Sequence, residues 1–196
     1  MPTTVLNIAA GKFDPIGLDA GDPTFLVNLD TMYYMHTSPE EIERERSQWT
    51  KTIDKKFYCT EDAVTFMERT QMTFDDVCIY RYLEHVSFAD LNYFIYLLST
   101  ITKPGSLIDI IVPNYEILAK LILQDDPADI NFEADNILLT TELLNEPSCP
   151  HASIWTPERA HYFFELEGRF KVKRGMDESF DFDGRNIYLR FIVERL

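Results

Sequence analysis

The feature that most constrains this chain is an alternation of short apolar runs, rich in strand formers, with segments that open on helix-capping residues. Thr4–Ala9 (TVLNIA) and Phe25–Asp30 (FLVNLD) are the first two runs. Ser38-Pro39-Glu40-Glu41 then supplies an N-cap, a proline at the first helical position and a capping-box glutamate, which predicts a helix to about Trp49. Lys56–Cys59 reads as a third strand, and Thr60-Glu61-Asp62 caps the next helix. Asp76–Arg81 is a fourth strand, and Ser87 with Asp90 opens a helix. Its Leu91, Phe94, Ile95 and Leu98 recur at the spacing of one buried face. Lys103-Pro104-Gly105 punctuates before a fifth strand, Ser106–Val112, while 127–150 reads as loops with short helical pieces. Thr156-Pro157-Glu158 opens a helix ending near Gly168. Arg169–Arg174 and Asn186–Glu194 then read as two strands facing across an acidic loop, Asp177–Gly184.

Strands that alternate with helices argue for parallel pairing, because parallel neighbours need long crossovers and helices supply them. The expectation is an α/β chain with a mostly parallel sheet, covered on both faces and closed by an antiparallel strand pair. With 196 residues, no internal repeat and no linker, the whole chain 1–196 reads as one domain.

Composition excludes several classes. The chain carries 33 acidic against 18 basic residues, a net charge of −15, and its densest mixed stretch, Glu43-Arg44-Glu45-Arg46, neutralises itself. Attraction to a phosphate backbone needs clustered cations, so nucleic acid is disfavoured as a partner. No apolar run approaches the roughly 20 residues that span a bilayer, and the N-terminus lacks a signal-peptide pattern. Cys59, Cys78 and Cys149 form an odd set without metal spacing, consistent with reduced thiols and a cytoplasmic location. His36, His85, His151 and His161 have no neighbour at metal-ligand spacing, so no metal site is expected. Phosphate-loop, nucleophile-elbow and GxGxxG patterns are absent from the sequence.

In an open parallel sheet, ligands settle beyond the carboxyl ends of the strands. The tight turn Asn7-Ile8-Ala9-Ala10-Gly11 follows the first strand, and its small side chains let a ligand approach the backbone. Asp30 ends the second and is placed to accept from ribose hydroxyls. Glu61 and Asp62 follow the third and suit an exocyclic amine. Tyr80-Arg81-Tyr82-Leu83-Glu84-His85 brings aromatic, cationic and titratable groups to the same rim.

VLNIAAG followed by FLVNLD resembles the first two strands of the class I S-adenosylmethionine-dependent methyltransferases, of the type 11-like, small single-domain kind. FDDVCIYRYLEHV and ITKPGSLIDIIVPNY resemble their fourth strand, its helix, the KPGG-like turn and the fifth strand. HASIWTPERAHYFFELEGRFKV is similar to the later helix and sixth strand. The resemblance covers nearly the whole chain. It implies a Rossmann-like, doubly wound, mostly parallel seven-stranded sheet with a terminal antiparallel pair. It also implies S-adenosyl-L-methionine as cofactor, contacted by Asn7, Ala9, Gly11, Asp30, Glu61, Asp62 and Arg81. The family's first loop carries an acid and two glycines where this chain has Asn7, Ala9 and Gly11.

Methyl transfer needs alignment and exclusion of water, and a weak nucleophile gains from a general base. His85 is the candidate, with Tyr80, Tyr82 and Tyr115 as walls. Pro113-Asn114-Tyr115 is not the tetrapeptide of the family's exocyclic-nitrogen methylases, which with the net charge of −15 turns the reading away from DNA adenine methylation. The expectation is an enzyme acting on a small-molecule, sugar or peptide-like acceptor. The rival reading is a catalytically inactive methyltransferase-fold component that binds a protein partner or a second copy of itself. The altered first loop and the short acceptor half favour it.

Overall fold

The computed structural model describes residues 4–9, 25–29, 55–59, 61–123, 151–173, 175–182 and 185–196. Its strands are β1 (Thr4–Ile8), β2 (Phe25–Leu29), β3 (Lys55–Cys59), β4 (Phe74–Tyr80), β5 (Thr102–Pro113), β6 (Phe170–Val172), β7 (Asp177–Phe182) and β8 (Arg185–Arg195). The helices among the described residues are α1 (Ala63–Arg69), α2 (Phe88–Ile101), α3 (Tyr115–Leu123) and α4 (Pro157–Glu165). Seven strands follow one path, β3-β2-β1-β4-β5-β8-β6, and an eighth, β7, pairs off that path with β8. The pairs from β3 through β5 are parallel, whereas β8 runs antiparallel to β5, β6 and β7. The mixed α/β class and mostly parallel sheet therefore match the expectation.

Helix starts follow the local chemistry. Asp62 caps α1 by accepting from the Val64 and Thr65 amides. The Ser87 hydroxyl of α2 accepts from the Asp90 amide at 3.2 Å and donates to the Asp90 carboxylate at 2.6 Å, a reciprocal cap. Thr156 caps α4 ahead of Pro157. The helix expected over 38–49 and the loops of 127–150 lie outside the described residues.

Two details differ from the sequence reading. Lys103-Pro104-Gly105 lies inside β5, with Gly105 at φ 85 and a register shift in the β4 pairing. The acidic segment expected as a loop is a strand: in DESFDF the two phenylalanines alternate with acids, and Phe180 packs beside Tyr188 of β8. Acidity hides the period because an edge strand tolerates charge on its wet face.

The sheet's two faces differ in chemistry. One is apolar: Leu6, Ile8, Val27, Leu29, Val77 and Ile79 pack against α1, α2 and α4 around buried Trp155. On the other face, register aligns Asn28, Asn7, Cys78 and Asp109 in one lateral row. All four are buried. Arg190 grips Asp109 through Nε at 3.0 Å and Nη2 at 2.8 Å, and the Tyr80 hydroxyl donates to the same carboxylate at 3.0 Å. Burial pushes the Cys78 thiol well above its usual range, which keeps it protonated. No helix among the described residues is long and apolar enough to cross a membrane.

Candidate functional site

The parallel strands bring their carboxyl ends to one edge. β1 ends there at Ala9, which turns left-handed with φ 55. A methyl group therefore does not forbid the turn, although it costs roughly 1 kcal/mol or more against glycine. The buried Asn7 amide donates to Asn28 Oδ1 at 3.0 Å, while Asn28 Nδ2 is buried without a partner one residue before β2 ends. Asp30 and Gly11 lie outside the described residues. Glu61 pairs with Arg69, and Asp62 Oδ1 accepts both α1 cap bonds. These acids follow β3 as expected, and the helix start already engages them.

The chemistry concentrates after β4. Arg81 is exposed, has φ 55, and donates its amide to Ile111 O at 2.8 Å, turning the chain across the end of β5. A 3-10 turn follows, Leu83–His85. Segment 151–156 is stitched onto it. The Ala152 and Ser153 amides donate to Glu84 O at 2.7 and 3.0 Å, and Ser153 Oγ donates to Leu83 O at 2.8 Å. Trp155 Nε1 donates to Ser153 Oγ at 3.0 Å, and the Tyr115 amide donates to Trp155 O at 3.1 Å. The apolar anchor Trp155 thus fixes a polar strap between the ends of β4 and β5.

That strap carries His151 to His85. Their rings lie 4.9 Å apart, nearly edge to face at 68°. The Tyr115 hydroxyl lies 2.6 Å from His151 Nδ1. Donor atoms of Glu84, His85 and His151 all fall within 4.8 Å of one another. Glu84 is fully buried, and neither carboxylate oxygen has a hydrogen-bond partner.

The electrostatics follow from burial. Desolvation raises the Glu84 carboxyl to about 7, against the opposing pull of its own backbone N–H and of Arg81. Burial, then the neighbouring His85 and Arg81, lower His151 to about 4, so its imidazole is neutral at pH 7. Burial and the Glu84 charge raise the Tyr115 phenol, which stays protonated. The cluster thus offers a neutral imidazole and a poised carboxyl at the same point.

Of the residues singled out by sequence, Arg81, His85 and Tyr115 meet at this cluster. Asn7, Ala9, Glu61 and Asp62 sit along the same edge at β1 and β3. Tyr80 instead lies in the core of the polar face, and Tyr82 packs on Phe94 with ring centroids 5.6 Å apart. The sequence places Glu84 on the rim without any sign of its burial, and it gives no local mark of the parts played by Asn28 and His151. Glu84 stood within the Leu-Glu-His-Val block, but burial leaves no local mark. His85 and His151 are far apart in the chain, so ligand spacing could not reveal their meeting.

No protein-family model matches the sequence, and neither does any curated protein. Solved structures do match. A SAM-dependent methyltransferase from Methanosarcina mazei superposes with a TM-score of 0.59 at 15% identity, over 100% of this chain and 94% of that one. One from Mesorhizobium loti gives 0.58 at 14% identity, covering 98% and 90%. The plantazolicin methyltransferase BamL, in complex with a triazolic desmethylPZN analog and SAH, gives 0.54 at 13% identity, covering 99% and 77%. The chain has the class I methyltransferase fold.

Proposed function

We propose that this chain is an S-adenosylmethionine-dependent methyltransferase acting on a small-molecule, sugar or peptide-like acceptor, built as one Rossmann-like, doubly wound domain. The observation that carries the reading is the strand order with a reversed β8, together with whole-chain likeness to methyltransferases. Fold by itself does not specify activity, so the site must carry the rest.

The residues at the rim suit the cofactor's polar groups. Ala9 makes the tight turn that a ligand lying on the backbone needs. Asn28 Nδ2 is a buried donor without a partner beside it. Asp30, one residue beyond β2, is the ribose acceptor in this reading, with Asn7, Gly11, Glu61, Asp62 and Arg81 around the ligand. S-adenosylmethionine supplies a methyl group already activated on a sulfonium sulfur.

The chain's own task is alignment, exclusion of water and removal of the acceptor's proton. His85 takes that proton in this reading. Neutral His151 stands beside it, oriented by Tyr115. The second reading, a methyltransferase-fold binding or assembly component, gains from one observation: the Asn7 amide is spent on Asn28 rather than directed to a ligand.

Calorimetric titration with S-adenosylmethionine and S-adenosylhomocysteine separates the two. Micromolar binding of either is expected, weakened at least tenfold by Asp30→Ala and unchanged by His85→Ala. No heat with either ligand at millimolar concentration overturns the catalytic reading. Equal affinity in Asp30→Ala removes that residue from the site.

A further inference from the structure

We infer that Glu84, His85 and His151 form a binding site for a divalent transition-metal cation of the zinc class. The inference does not require methyl transfer, since a scaffold protein with this cluster would hold the ion equally well. With the ion bound, His85 is a ligand rather than the proton acceptor, because a ligating imidazole has no lone pair left to take a proton.

Three observations carry it. First, the donor set is two imidazoles and one carboxylate whose ligating atoms all lie within 4.8 Å of one another. This is the composition of open three-ligand sites, which keep one position for water or substrate when tetrahedral and more when octahedral. Bonds of roughly 2.0–2.1 Å need donors about 3–4 Å apart, so small inward side-chain rotations close the site. Imidazole selects zinc-like ions over magnesium and calcium, which prefer all-oxygen shells.

Second, the Glu84 side chain is buried with both oxygens unpartnered, beside the two histidines. Buried carboxylates are normally satisfied by donors, counter-charges or metals. Among the described residues the only donor acting on the carboxyl is Glu84's own backbone N–H, and neither oxygen makes a hydrogen bond, so a cation between the three side chains supplies what is missing.

Third, the outer shell is in place. Tyr115 OH engages His151 at Nδ1, 2.6 Å away, which leaves Nε2 as the ligating nitrogen. A metal-bound imidazole needs such a partner to fix its tautomer and ring plane. The supporting backbone is rigid, because Glu84 O receives two amides from the segment that carries His151. Arg81 opposes the cation, being close enough to act on both Glu84 and His151. It tunes affinity downward without filling the site.

The test uses the full chain, stripped with a chelator and without cofactor, titrated with Zn2+, Co2+ and Mg2+. One equivalent of Zn2+ is expected at micromolar affinity or better, Co2+ is expected to develop a visible ligand-field band, and Mg2+ is expected to bind at least 100-fold more weakly. Glu84→Gln and His151→Gln are each expected to lose at least 100-fold in Zn2+ affinity with an unchanged circular-dichroism spectrum. Tyr115→Phe, a positioning change, is expected to lose about tenfold. His161→Gln, on the exposed face of α4, is expected to bind as the parent does. Should Glu84→Gln fail to fold, the Tyr115→Phe and His161→Gln contrast decides. Zn2+ binding no tighter than millimolar overturns the site, as does binding that persists unchanged in His151→Gln or falls in His161→Gln. Since no S-adenosyl ligand is present, failure here is distinct from failure of the methyltransferase reading.

Discussion

Removing Arg190 isolates the energetics of the polar face. Asp109 is 1% exposed, and its carboxylate receives two bonds from Arg190 and one from Tyr80. The same Asp109 hydrogen bonds keep the Arg190 guanidinium charged, raising it above its ordinary range. Arg190→Met keeps an unbranched aliphatic stem on β8 but deletes the charge. Asp109 would then hold a buried carboxylate with one remaining donor, Tyr80. Breaking a buried pair from one side costs about 3–5 kcal/mol, a large part of the ~5–15 kcal/mol that stabilises a typical domain. With an m-value of about 2 kcal/mol per molar urea, the unfolding midpoint falls by roughly 2 M. The double variant Asp109→Leu with Arg190→Met removes both charges and is expected to recover to within about 1 kcal/mol of the parent. Urea melts followed by tryptophan fluorescence, which reads buried Trp155, measure all of these. A loss below about 1 kcal/mol in Arg190→Met, or a double variant as unstable as the single, would refute the account.

Two further predictions concern the rim. Ala9→Gly relieves the left-handed alanine and is expected to raise stability by up to about 1 kcal/mol in urea melts; a loss would contradict the turn assigned after β1. In chelator-treated protein, Glu84 holds its proton when folded to about pH 7, whereas the unfolded chain loses it near 4.5. The folded state then binds more protons between those values, so this group's contribution falls as pH rises through that window, by about 3 kcal/mol in total. His151 acts oppositely: its folded value of about 4 lies below 6.5, so stability grows with pH across that window and masks the loss. Glu84→Gln should therefore gain on the parent from pH 5 to pH 8, and parallel stability–pH curves for the two proteins would sink the assignment.

Much of the scaffold was legible locally. The caps at Asp62, Ser87 and Thr156 are short-range hydrogen-bond patterns, and the structure places a helix after each one. The Leu91, Phe94, Ile95 and Leu98 stripe faces the core as its spacing required. The strand runs were readable because a strand covered on both faces needs near-continuous apolar residues. The resemblance of several blocks to one family was readable too, and the class I fold agrees with it.

The cluster was not legible. Whether Glu84 is an ordinary surface acid or a buried, unpartnered one depends on segment 151–156 folding back onto the turn that carries it. Nothing in the letters near position 84 encodes that. His151 reaches His85 only because backbone bonds from Ala152 and Ser153 close a long stretch of chain onto the end of β4. Periodicity and capping act over a few residues, and so the sequence by itself could specify elements and their order. Burial, desolvation and the convergence of distant side chains are properties of the packed whole, and only the tertiary structure decides them.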